Sequence, residues 1–229
     1  MGIDFTNIMH NKTSYLSMEE IKKMLDYCFD NDLVRDYMLI LTLARTGRRV
    51  TEIVGEKPYI RKVGLRPCDI HPDGLIEFDI LKKMPIKHKS PSGTKRSEEY
   101  LIRARTKKMP KRKLQPVDNQ YLNILKRYIQ AHNITPHQRI FPITRRRVNY
   151  IIERVSTKTL INRSKGKIHA HMFRHSLAIN LLKDNPNDAS IIKQIQQLLD
   201  HSKIDVTYHY AQFTPEDKRK SLNKLFNTQ

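Results

Sequence analysis

Apolar positions in the first third of the chain recur at helical spacing. Ser17 followed by Glu20 reads as a capping box, and Ile21, Met24, Leu25 and Cys28 then fall on one face. A second apolar helix is predicted over Leu33 to Ala44, ending at Thr46-Gly47, and a short third one carries Arg49 to Val54. The period then changes. Asp73-Gly74 signals a turn, and Leu75 to Leu81 reads as a strand. Further strands are predicted at Tyr100–Arg105 and Lys113–Val117, with Pro91-Ser92-Gly93 as a hairpin tip. Helical spacing returns after Asp118 with Leu122, Leu125, Tyr128 and Ile129, then Val148, Ile151 and Ile152. Helices also fit Met172–Lys183, Ala189–Leu199 and Pro215–Phe226, the last with Thr214 as N-cap and Pro215 at its first position. The expected fold class is mainly α with a small antiparallel β-sheet. Residues 1–14, polar and without period, are expected to form an arm before one domain over residues 15–229.

Charge changes this picture more than composition does. Lys and Arg number 43 against 23 Asp and Glu, a formal net charge of +20. So large an excess repels itself in the folded state and points to a polyanionic partner, nucleic acid first. Residues 82–113 hold thirteen Lys or Arg, with Glu98 and Glu99 as the acids, an imbalance that suits a phosphate-facing hairpin better than salt-bridge lacing. Arg145-Arg146-Arg147 is a second such run. No apolar run approaches a bilayer-spanning length, so no membrane partner is expected, although Met1-Gly2 with Thr6 fits the loose myristoylation pattern. The two cysteines, Cys28 and Cys68, supply neither a disulfide framework nor a CxxC metal pair, which favours a reducing, cytoplasmic setting.

Three segments carry candidate chemistry. Cleaving a phosphodiester without a metal needs a nucleophile, cations around the developing charge, and an acid for the leaving oxygen. Arginine suits the clamp, because its planar fork reaches two phosphate oxygens and never deprotonates. In Thr46-Gly47-Arg48-Arg49-Val50-Thr51-Glu52, Gly47 permits a tight turn and Glu52 stands three residues from Arg49, able to orient it. On this fragment alone, a helix-surface ion pair is the preferred reading of the spacing. In His171-Met172-Phe173-Arg174-His175, His171 and Arg174 share a helical face, with Met172 and Phe173 turned to the core. Zinc held by His169, His171 and His175 competes here, but no fourth ligand stands at a usual spacing. In the third segment His201 follows an apolar helix and Tyr210 stands nine residues on.

In this order the three segments resemble the tyrosine recombinase, or phage integrase, family. That family carries a TGxRxxE box, a lysine on a β-hairpin, an HxxRH box, then GHS and a tyrosine. The likeness extends to Tyr15-Leu16-Ser17-x-Glu19-Glu20-Ile21, the family's usual opening, and to Leu65-Arg66-Pro67-Cys68-Asp69-Ile70 before the first strand. It covers roughly residues 15–212. Asp200 departs from the pattern, standing where the family has Gly, and the stretches 56–64 and between the hairpin strands are longer than in compact bacterial members.

The resemblance implies the catalytic domain of a site-specific DNA recombinase that cuts through a 3′-phosphotyrosine at Tyr210. Arg49 and Arg174 would hold the phosphate, with His171 and His201 in support. The lysine is assigned to Lys82, because Ile80-Leu81-Lys82-Lys83 resembles a strand of archaeal members, with Lys83, Lys107 and Lys108 as alternatives. Double-stranded DNA is the implied partner, with tetramers assembling on it. No cofactor, metal or small-molecule substrate is expected. The family's N-terminal DNA-clamping domain is not expected within residues 1–14, which fits either an excised catalytic domain or a naturally short member. A non-catalytic DNA-binding module and a type IB topoisomerase are the rival readings.

Overall fold

The computed structural model describes residues 15–55, 64–80, 111–161, 166–185 and 190–199. Helix α1, Met18–Asp30, starts where the sequence predicts: Ser17 accepts from the Glu20 amide, and the Glu20 carboxylate returns to the Ser17 amide at 2.8 Å. Its apolar stripe, with Ile21, Met24 and Cys28, packs on α2, Val34–Thr46. A left-handed Gly47 caps α2, its N–H returning to the Leu43 carbonyl at 3.1 Å. Helix α3, Val50–Val54, follows after two residues, with Arg49 as its N-cap rather than its first residue.

Strands β1, Leu75–Ile80, and β2, Lys111–Pro116, pair antiparallel, with Ile76 opposite Gln115 and Asp79 opposite Arg112. The second strand begins two residues before the sequence pattern suggests. The expected strand at 100–105, the turn at 91–93 and the helix at 215–226 lie outside the described residues. One sheet face buries Ile76, Phe78 and Gln115. The other carries an ion-pair ladder, in which Arg112 meets Asp69 at 2.5 Å, Glu77 at 2.8 Å and Asp79 at 3.4 Å. Alternation along β2 is inverted with respect to hydrophobicity: Leu114 is exposed and Gln115 is buried.

Helices α4, Asn119–Ala131, and α5, Arg145–Lys158, are capped by Asp118 and Thr144. Tyr121 of α4 reaches Thr42 of α2 through its hydroxyl at 3.1 Å. Helix α6, Ala170–Asp184, is buried on two sides. Met172 and Phe173 join the main core with Leu39, Leu43 and Ile152, while Ala178 packs with Ile191, Ile195 and Leu199 of α7, Ile191–Leu199. Ser176 and Asn180 of α6 bind the two backbone groups of Leu16, fixing the entry of the chain into α1. Among the described residues no helix is long and apolar enough to cross a membrane.

Candidate active site

The turn from Thr46 to Arg49 is held from several sides. Gly47 adopts φ +59°, and a Cβ there would stand 2.7 Å from the Leu199 side chain and 2.8 Å from that of Leu177. Glycine therefore serves two needs, the left-handed backbone and the close approach of α6 and α7. Just beyond it, the Arg49 amide donates to Glu52 Oε2 at 3.1 Å and its Nη1 to Glu52 Oε1 at 3.0 Å. The Glu52 side chain is fully buried, whereas that of Arg49 is 36% exposed. A buried carboxylate is tolerated only when paired and hydrogen-bonded, and here both its oxygens are used on one residue. The surface ion pair is thus excluded on the Glu52 side, and the exposed guanidinium is aimed by a carboxylate beneath it.

Arg174 lies at the centre of the cluster and is only 2% exposed. Its Nη1 donates to the Gly47 carbonyl at 2.9 Å and its Nη2 to the Leu199 carbonyl. One guanidinium so joins the arginine turn, helix α6 and the end of α7, the last described residue before Asp200-His201-Ser202. The sequence marks Arg174 as a phosphate ligand but carries no sign of this burial.

His171 opens toward solvent in the first turn of α6, its ring 4.5 Å from that of His175 and perpendicular to it. Partial desolvation, then the positive charges of His175, Arg174, His169 and Arg49, push its pKa down from 6.5 to about 4. His175 is shifted the same way, by burial and then by His169 and Arg174. Arg49 and His171, far apart in sequence, therefore share one electrostatic site. It is a field of cations that an anion would relieve.

Of the six residues singled out by the sequence, Arg49, His171 and Arg174 come together. Lys82, His201 and Tyr210 lie outside the described residues, as do Lys83, Lys107 and Lys108. No group of three or more His, Cys, Asp or Glu among the described residues is placed to hold a metal. Two contributors escape the motif reading. Arg48 is buried over the Phe78 ring at 5.0 Å, its Nε donating to Gln115 Oε1, and Gln115 donates in turn to the Thr46 carbonyl at 2.9 Å. A basic residue inside a basic turn reads as surface. Only the polar position inside β2 hints otherwise.

Comparison with known proteins finds tyrosine recombinases among those similar to this chain. The tyrosine recombinase XerC of Pediococcus pentosaceus is 36% identical over 109 residues, 47% of this chain and 34% of that protein. XerC of Listeria monocytogenes is 25% identical over 229 residues, 96% of this chain and 66% of that protein. The chain thus spans less than two thirds of the length of either curated relative. Both are bacterial, so the archaeal likeness of Ile80-Leu81-Lys82-Lys83 gains no support from them. The crystal structure of the site-specific recombinase XerH, bound to its difH substrate in a pre-cleavage complex, shares the fold. Its TM-score is 0.59 at 18% identity, covering 90% of this chain and 52% of that one. Residues 94–217, more than half of the chain, match the phage integrase family, and the chain belongs to it.

Proposed function

We propose that residues 15–229 form the catalytic domain of a tyrosine-type site-specific DNA recombinase, with residues 1–14 as an arm, acting on double-stranded DNA in the cytoplasm. The observation that carries this reading is the gathering of Arg49, His171 and Arg174 around Gly47, a cationic site with a buried carboxylate aiming its exposed arginine. Relatives over most of the chain are named tyrosine recombinases, XerH of like fold is seen bound to its difH substrate, and the Tn1549 transposon integrase of like fold is seen in complex with transposon right end DNA.

In the proposed reaction the Tyr210 hydroxyl oxygen attacks the scissile phosphorus and the bond to the 5′ oxygen breaks, leaving a 3′-phosphotyrosine. Arg49 meets the non-bridging oxygens directly. Arg174 adds its charge from beneath and keeps the turn in place. His171, neutral above about pH 4, is able to accept a proton or donate a hydrogen bond from its neutral ring. His201 assists in the same field. A hairpin lysine, Lys82 or one of Lys83, Lys107 and Lys108, protonates the departing 5′ oxygen. The phosphotyrosine conserves the bond energy, so rejoining is the same reaction run backwards and no cofactor is called for. The protein is a monomer alone and assembles as a tetramer on DNA, with Pro215–Phe226 coupling assembly to cleavage.

Incubation with a nicked suicide duplex, followed by a denaturing gel, tests the reading. The wild-type chain gives a covalent adduct and Tyr210→Phe gives none. An adduct with Tyr210→Phe moves the nucleophile to another residue, Tyr208 first, and binding without any cleavage leaves a DNA-binding module. Relaxation of supercoiled plasmid with no joining of a second site would favour topoisomerase-like action.

A further inference from the structure

Between Thr46 and Arg49 the backbone is secured from two directions. Helix α6 supplies Arg174 to the Gly47 carbonyl, and strand β2 supplies Gln115 to the Thr46 carbonyl. Gln115 uses both ends of its amide, the Oε1 accepting from Arg48 Nε and the Nε2 donating to Thr46 O. Neither a leucine nor a glutamate does both, because one lacks polar atoms and the other, when ionised, lacks a donor. The Arg48 amide meets the Thr46 hydroxyl at 3.3 Å, so the peptide planes on either side of Gly47 are fixed before the chain reaches Arg49. That arrangement runs against burial preference. Strand β2 keeps Leu114 at 45% exposure and sends Gln115 into the interior at 1%. Folding alone would favour the opposite alternation.

We propose that Gln115 and Arg48 are positioning residues: through Thr46 and Gly47 they set the direction of the Arg49 guanidinium. The inference rests on the recombinase reading for its consequence in catalysis, but not for its geometry. Strand β2 also holds the last three residues of the basic 82–113 stretch, and its Lys113 binds the Gln197 carbonyl near the end of α7 at 2.5 Å. One strand therefore touches both the arginine turn and the helix leading toward His201 and Tyr210.

Three variants test it: Gln115→Glu, which keeps the acceptor for Arg48 but sets an oxygen against Thr46 O; Gln115→Leu; and the double change Arg48→Met with Gln115→Leu. The double variant removes both members of the buried Arg48–Gln115 pair, so neither is left facing an apolar partner; the Thr46 carbonyl loses its donor as it does in Gln115→Leu, and the variant serves if a single one fails to fold. Folding is followed by thermal melting, DNA affinity by titration, and the adduct rate constant at saturating nicked DNA by gel. The Arg49 Nε–H resonance is recorded by NMR without DNA. A displaced guanidinium lowers the adduct rate constant by about ten- to a hundred-fold. For Gln115→Glu and Gln115→Leu, DNA affinity stays as in the wild type, and in all three the Arg49 resonance moves. A folded variant set with wild-type rate constants, or with an unmoved Arg49 resonance, overturns the proposal. A wild-type chain that forms no adduct overturns the recombinase reading instead, and the Arg49 resonance still decides whether Gln115 and Arg48 position that residue.

Discussion

Arg174 Nη1 stands 2.9 Å from the carbonyl oxygen of Gly47, and the same guanidinium reaches Leu199 O through Nη2. Removing it uncovers two buried carbonyls at once, each costing about 1–3 kcal/mol. Arg174→Ala is therefore expected to lower unfolding stability by roughly 2–5 kcal/mol. Arg174→Lys keeps the charge but loses the fork, and is expected to fall in between. Denaturant unfolding measures both. An Arg174→Ala protein as stable as the wild type would mean that the carbonyl bonds contribute nothing.

Gly47, which offers the first of those carbonyls, is as demanding a position. Gly47→Ala must accept φ +59° and press a methyl group against Leu199 and Leu177 at under 3 Å. The expected loss is about 2–4 kcal/mol, combining left-handed strain with overpacking. Because α6 and α7 would have to move apart, adduct formation should fall with stability. Unfolding curves and adduct yields on one preparation check this, and a loss of stability without loss of cleavage would separate the turn from the site.

Much of this was legible in the chain. Ser17 with Glu20, Gly47 at a helix end, and the apolar stripe of α1 are local signals, because caps and periodicity depend on near neighbours. The Arg49 and Glu52 pairing was legible for the same reason. The burial of Arg48 and Arg174 was not, since it depends on Phe78, Gln115 and Leu199, which approach only after the chain has folded. The inverted alternation of β2 belongs with these, as hydrophobicity alone puts Leu114 inside.

Glu52→Gln probes the aiming of Arg49. The amide retains a single oxygen, so it can serve the Arg49 amide or the guanidinium but not both. The protein should fold, bind DNA with undiminished affinity, and form adduct about ten- to a hundred-fold more slowly. Loss of binding in place of loss of rate would show that Glu52 supports the surface and not the orientation.

The histidine cluster makes stability depend on acid. His171 is depressed from 6.5 to about 4, so between those values the folded chain binds fewer protons than the unfolded one. Its contribution is present above pH 6.5 and is lost as pH falls toward 4. His171→Asn should flatten the stability profile in that window. A phosphate placed among Arg49, Arg174 and His171 adds negative charge, so the His171 resonance should titrate at higher pH on DNA than free. An unchanged midpoint on DNA would place the phosphate elsewhere.

Helix α5 presents the last test. Arg145, Arg146 and Arg147 occupy its first turn, all exposed, with no acidic residue beside them in that turn. Cations at a helix N-terminus oppose the macrodipole, each at a cost of about 0.3–1 kcal/mol. Such a placement persists more readily where a polyanion gains from it. Arg147 also lies over the Tyr150 ring at 4.9 Å, so the cleaner change is Arg145→Gln with Arg146→Gln. That variant should be slightly more stable than the wild type in the absence of DNA and bind DNA more weakly at every sequence. If both arginines face phosphates, the slope of log affinity against log salt should shrink by roughly 1.8, about 0.9 for each phosphate no longer neutralised. Greater stability with an unaltered slope would show that the first turn of α5 points away from DNA, and the 82–113 stretch would then be left as the phosphate-facing element.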